Sequence, residues 1–95
     1  MRAKAVLRWW KDIKVNPGQH FARPSRFDHQ GADELPWTLV FFAGSSKMPD
    51  GQQEGTVEFL MPSAPIEWLS AGRRFVIFDG PQAVGEGLIQ AEISE

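Results

Sequence analysis

This chain does not sustain along its length the apolar spacing i, i+3, i+4 and i+7 that puts one apolar stripe on a helix. It has instead short extended runs separated by Gly, Pro, Asp and Asn. Alternate apolar residues bury one face of a strand, and the intervening turn residues bend the chain back, so the pattern predicts an all-β domain.

The first run covers 4–11, with Ala5, Leu7 and Trp9 on one face and Lys4, Val6, Arg8 and Trp10 on the other, and it leads to the turn signal Asn16-Pro17-Gly18. Residues 19–30 hold Phe21, Pro24 and Phe27 and read as an edge or bulged strand, because proline brings no N–H to a ladder. Trp37-Thr38-Leu39-Val40-Phe41-Phe42-Ala43 is apolar almost throughout, which predicts a strand covered on both faces by the 62–70 crossing or by another subunit. Loop chemistry returns at Gly44-Ser45-Ser46 and Pro49-Asp50-Gly51. A fourth strand is expected over 55–61, then an irregular crossing imposed by Pro62 and Pro65 around Ile66, Trp68 and Leu69. Two last strands, 73–79 and 82–93, flank the hairpin signal Asp79-Gly80-Pro81, and Ser94-Glu95 reads as a frayed tail.

Six short strands need a sandwich or a closed barrel to hide their edges, and for 95 residues closure into one antiparallel barrel over 1–95 is the expectation. A chain of this size buries only about 60 to 65 per cent of its unfolded surface, so a second core does not fit. The apolar share of 42%, including four Trp and seven Phe, is enough to fold without staples. With no cysteine there is no disulfide, thiolate nucleophile or thiolate metal site. Met1-Arg2-Ala3-Lys4-Ala5 leads into no long apolar run, so neither a signal peptide nor a membrane span is expected, and the cytoplasm is the expected location. A net charge of −2 argues against a general polyelectrolyte binder, which needs several clustered cations.

The last third carries a more specific pattern: Glu58-Phe59-Leu60-Met61-Pro62, then Ala71-Gly72-Arg73-Arg74-Phe75-Val76-Ile77, then Asp79-Gly80, then Ala83-Val84-Gly85-Glu86-Gly87-Leu88-Ile89. In order and spacing it resembles domain 3 of the elongation factor Tu family, a C-terminal β-barrel whose ending reads G-x-R-F-x-I-x-E-G-G-x-x-V-G-x-G-V-V. The resemblance covers 55–93; upstream it rests on strand count and on Arg23-Pro24 with Phe27. Gly85 and Gly87, alternating on one strand, fit a place where a bulge forms or another backbone approaches closely.

The resemblance implies a six-stranded closed barrel whose outer residues contact the T-stem of aminoacyl-tRNA, the nucleotide-exchange factor or a GTPase domain. This sequence has no Gly-rich Lys-Ser/Thr phosphate loop, so GTP hydrolysis is not expected of it. The family's acidic turn residue falls on Asp79, which could accept hydrogen bonds from a base or ribose, though Asp-Gly is also an ordinary turn. A family arginine just before it is replaced by Phe78. In the family register Phe75 and Ile77 point inward and Arg74, Val76 and Phe78 outward, and two exposed apolar residues on one strand suit a protein contact.

Other constellations are weaker. His20 and His29, with Asp28 and Asp33 or Glu34, have no recognised metal-ligand rhythm, and no metal or other cofactor is expected. Gly44-Ser45-Ser46 lacks a nucleophile elbow, and the carboxylates Glu54, Glu58, Glu67 and Asp79 are scattered, so neither catalysis nor a small-molecule substrate is expected. Lys4, Arg8, Lys11 and Lys14 interleave with Trp9 and Trp10, and stacking on Trp10 could hold a single-stranded base at about 1–3 kcal/mol, but a charged edge strand explains the same cations more simply.

The expectation that follows is a non-enzymatic binding module related to translation-factor barrels. Trp10, Val76 and Phe78 would meet a protein partner or a second copy of the chain. The alternative is a module for tRNA or rRNA, using Arg8, Arg23, Arg26, Arg73 and Arg74 for phosphates and Asp79 for a base or ribose.

Overall fold

The computed structural model describes residues 2–10, 18–31, 33–44 and 52–93. Its strands are β1 (Arg2–Trp9), β2 (His20–Phe27), β3 (Trp37–Ala43), β4 (Gln52–Phe59), β5 (Arg74–Asp79) and β6 (Gln82–Ile93), with one 3-10 turn at Ile66–Trp68. They close into an antiparallel barrel in the order β1-β4-β3-β2-β5-β6, β6 pairing back with β1. The all-β, six-stranded closed barrel expected from the sequence is therefore the fold. Lys11, Lys14, Asn16-Pro17, Ser45-Ser46, Pro49-Asp50-Gly51 and Ser94-Glu95 lie outside the described residues.

Alternation sorts the side chains. β1 sends Ala3, Ala5 and Leu7 into the lumen, where they are buried, while Lys4 and Arg8 stand outside. The lumen is filled by Phe27, Phe41 and Phe75 with Leu39, Ile77, Val57 and Ile89. Phe75 lies 5.5 Å from Phe27 and 6.2 Å from Phe41, ring centre to ring centre. Three phenylalanines leave room on the facing strands only for small residues, hence Ala3 and Ala5 on β1 and glycines on β6.

Those glycines are set by contact. Gly87 is the cross-strand partner of Phe75, whose ring occupies the space that a Cβ on Gly87 would take. Gly85 partners Trp9; a Cβ there would meet the Arg8 carbonyl oxygen at 2.8 Å and Trp9 Cε3 at 2.9 Å. A close backbone neighbour is thus present at Gly85, whereas at Gly87 the close neighbour is an aromatic ring. Gly80, at φ 60°, opens the two-residue turn between Asp79 and Gln82, with Pro81 supplying the negative φ after it.

The 62–70 crossing does not lie over the outer face of β3. Leu69 is buried in the core and Trp68 packs 5.5 Å from Phe27, so the crossing closes one end of the barrel. The outer residues Val40 and Phe42 are only half-buried; Phe42 sits under the Arg2 guanidinium at 4.6 Å and stacks with His20 at 6.0 Å. At the other end Trp9 reaches Phe21 at 5.8 Å, and Phe21 stacks on Phe41 at 5.2 Å.

Closure between β2 and β5 is short: Ser25, Arg26 and Phe27 pair with Ile77, Val76 and Phe75, and the ladder stops at Pro24, which has no N–H to give. β2 is an edge over its first half, as its proline predicts. Even-numbered residues of β2 turn their backbone groups toward β5, as the bond from the Asp28 N–H to the Arg74 carbonyl shows. On that open edge the Ala22 carbonyl accepts a hydrogen bond from Arg23 Nη1 at 2.9 Å, which blunts it.

Candidate functional site

The outward side chains of β1, β6, β5 and β2 form cross-strand rows. In one row Val6 faces Leu88 and Leu88 faces Arg74; in the next Arg8 faces Glu86, Glu86 faces Val76, and Val76 faces Arg26. Together with Phe78 these rows enclose a depression of about 590 Å³ in the barrel wall. Its floor is apolar, made by Val6, Val76, Phe78 and Leu88, and it reaches the backbone at Phe75 and Gly87, where inward-pointing residues leave the wall bare. Arg8, Arg26 and Arg74 stand around it with Glu86 and Asp28.

The three arginines are held differently. Arg26 lies over the Phe78 ring at 5.7 Å and donates from Nη2 to the Glu34 carbonyl at 2.9 Å, while its buried Nε finds no acceptor. Arg8 and Arg74 are exposed and make no ion pair among the described residues, and neither does Glu86. Asp28 is engaged by Arg73 at 3.9 Å and lies 3.5 Å from His29. The depression thus offers two unpaired guanidinium groups beside an apolar floor, an arrangement suited to a ligand that combines negative charge with an apolar side chain.

The residues singled out in the sequence separate into groups. Val76 and Phe78 lie together in the depression, but Trp10 does not line it; Trp10 is 50% exposed just beyond β1, its N–H bonded to the Val84 carbonyl. Of the cations, Arg8, Arg26 and Arg74 converge on the depression, and Arg73 adjoins it through Asp28. Arg23 belongs by alternation to the inward set of β2, with its guanidinium 5.5 Å from the Phe21 ring, so it is not part of this surface. Asp79 is exposed at the hairpin turn opposite Gln82. β2 and β5 meet, which brings Arg26 to the cations of β5, but parity divides Arg23 from Arg26.

His20 stacks on Phe42 and His29 stands edge-on to Trp68 at 4.3 Å, so the two histidines serve different aromatic contacts. Glu54 and Glu58 pair with Lys4 and Arg2 across β1 and β4. Sequence reasoning did not assign Val6, Glu86 and Leu88 to a site. Each is an outward residue next to a buried one, a signal that marks a face without saying which faces join. No family model, curated protein or solved structure matches this chain.

Proposed function

We propose that this chain is a non-enzymatic binding module that receives a protein partner in the depression between β1, β6, β5 and β2. The observation that carries the reading is the apolar floor of Val6, Val76, Phe78 and Leu88 lying beside Arg8 and Arg74, two cations that make no ion pair among the described residues. An apolar centre with a charged rim is the anatomy of a protein contact, where the centre gives affinity and the rim selects the partner. The relation to the elongation factor Tu barrel rests on the 55–93 motif, and a translational role in the cytoplasm is part of the same proposal.

Selection of random peptides displayed on phage tests this reading, with the Phe78→Arg variant as counter-target. Peptides that bind the wild type and lose the variant are expected. A selection that yields no Phe78-dependent binder removes the docking role.

Arg8, Arg26 and Arg74 on one face favour RNA as the second reading. Against it, Glu86 and Asp28 interrupt the arginines, so the face lacks the continuous cationic track that a phosphate backbone follows. Titration with tRNA and rRNA at low and moderate salt decides: phosphate contacts require tight low-salt binding that falls steeply with salt, and no binding at low salt ends the RNA reading.

A further inference from the structure

We propose that the depression is occupied by a second copy of this chain, through the loop tip formed by Asp33, Glu34 and Leu35. The inference rests on the docking reading above and names its partner. Leu35 is 85% exposed, the most exposed of the large apolar side chains among the described residues, and Asp33 and Glu34 beside it are exposed and make no ion pair there. The tip therefore offers an apolar side chain flanked by two carboxylates, and the depression an apolar floor flanked by the guanidinium groups of Arg8 and Arg74, none of the four in an ion pair among the described residues. Glu86 stands beside Arg8 in that wall, so the carboxylates of the tip are matched chiefly to Arg74 and the outer side of Arg8.

The tip is held ready. Gln30 accepts from the Phe27 N–H at 2.8 Å and donates to the Leu35 carbonyl at 3.1 Å, the Glu34 N–H bonds to the Gly31 carbonyl at 3.1 Å, and Arg26 secures the Glu34 carbonyl. Because these bonds fix the backbone, Leu35 loses little freedom on docking. They also fix the loop beside the depression, since Arg26 belongs to both. A loop and a receptor that adjoin on one face can be exchanged reciprocally about a two-fold axis, which closes a dimer and leaves no free tip to extend a filament.

Sedimentation equilibrium on the full chain from about 1 µM to about 1 mM tests the proposal, a single monomer–dimer equilibrium being expected. Reversing the tip (Asp33→Arg with Glu34→Arg) or the wall (Arg8→Glu with Arg74→Glu) is expected to weaken dimerisation by about tenfold or more, with circular dichroism confirming that each variant is folded. Mixing the two variants in equal amounts is expected to restore a dimer, because the reversed tip then meets the reversed wall and the native tip meets the native wall. A wild type that stays monomeric, variants that dimerise as well as the wild type, a mixture of variants that stays monomeric, or a ladder of larger species each overturns it. These results bear on self-docking alone. The Phe78-dependent peptide selection decides the docking role independently.

Discussion

Along β5 and β6 the inward face carries Phe75, Ile77, Gly85, Gly87 and Ile89, all in the lumen and nearly free of solvent, while the outward face carries Arg74, Val76, Phe78, Glu86 and Leu88, all at least partly exposed. The backbone is shared and the demands on each face differ. Inside, Phe75 and Gly87 fit as a pair, so neither can change size without moving the other. Outside, Val76 and Phe78 border an open depression, and Arg8 and Arg74 make no ion pair among the described residues. The inner face carries stability and the outer face is available for contact, a division that substitutions on the same two strands can break.

The largest effect is expected from Phe75→Ala. It removes a ring packed against Phe27 and Phe41 and leaves a void opposite Gly87 that small neighbours cannot fill, lowering stability by about 3–5 kcal/mol. Urea unfolding followed by tryptophan fluorescence reads this as a lower midpoint at unchanged slope. A loss below about 1 kcal/mol would mean that the lumen collapses around the missing ring and is less constrained than its contacts imply.

Next comes Gly87→Ala. The added methyl meets the Phe75 ring, which must leave its position among three packed aromatics, and about 1–3 kcal/mol is the expected penalty. The double variant Gly87→Ala with Phe75→Leu makes the comparison sharper. Leucine vacates the space that the methyl needs, so the combined loss should fall short of the sum of the two single losses by about 0.5–3 kcal/mol, whereas strict additivity would show that the pair does not interact.

The inner face was legible because it repeats. Ala5, Leu7, Phe75 and Ile77 alternate with residues that are polar or only partly buried, and Asp79-Gly80-Pro81 announces the last hairpin, so the number of strands and their antiparallel closure follow from local rules. The start of β4 was not, for its first residues, Gln52, Gln53 and Glu54, have no strand-like composition and are held by their ladder with Arg8, Leu7 and Val6. The depression was half legible. Val76 and Phe78 show an exposed apolar pair from parity alone, but their union with Val6, Leu88 and Arg8 depends on β1 lying beside β6, eighty residues apart in sequence. Arg23 shows the opposite difficulty: three residues from Arg26, it is on the other face, and only the odd step between them tells so.

The smallest effect on stability belongs to the outer face, at Phe78→Arg. Phe78 is half-buried and packs beneath Arg26, so a second guanidinium there gives up a ring contact and places like charges side by side. About 0.5–1 kcal/mol is the expected loss, well below either inner substitution, because the new side chain can extend into the open depression. Its effect on contact should run the other way, abolishing peptide capture while the urea midpoint hardly moves. If Phe78→Arg instead unfolds the barrel as severely as Phe75→Ala does, Phe78 is a structural residue, and the division between a face that holds the fold and a face that meets a partner fails at the residue on which it most depends.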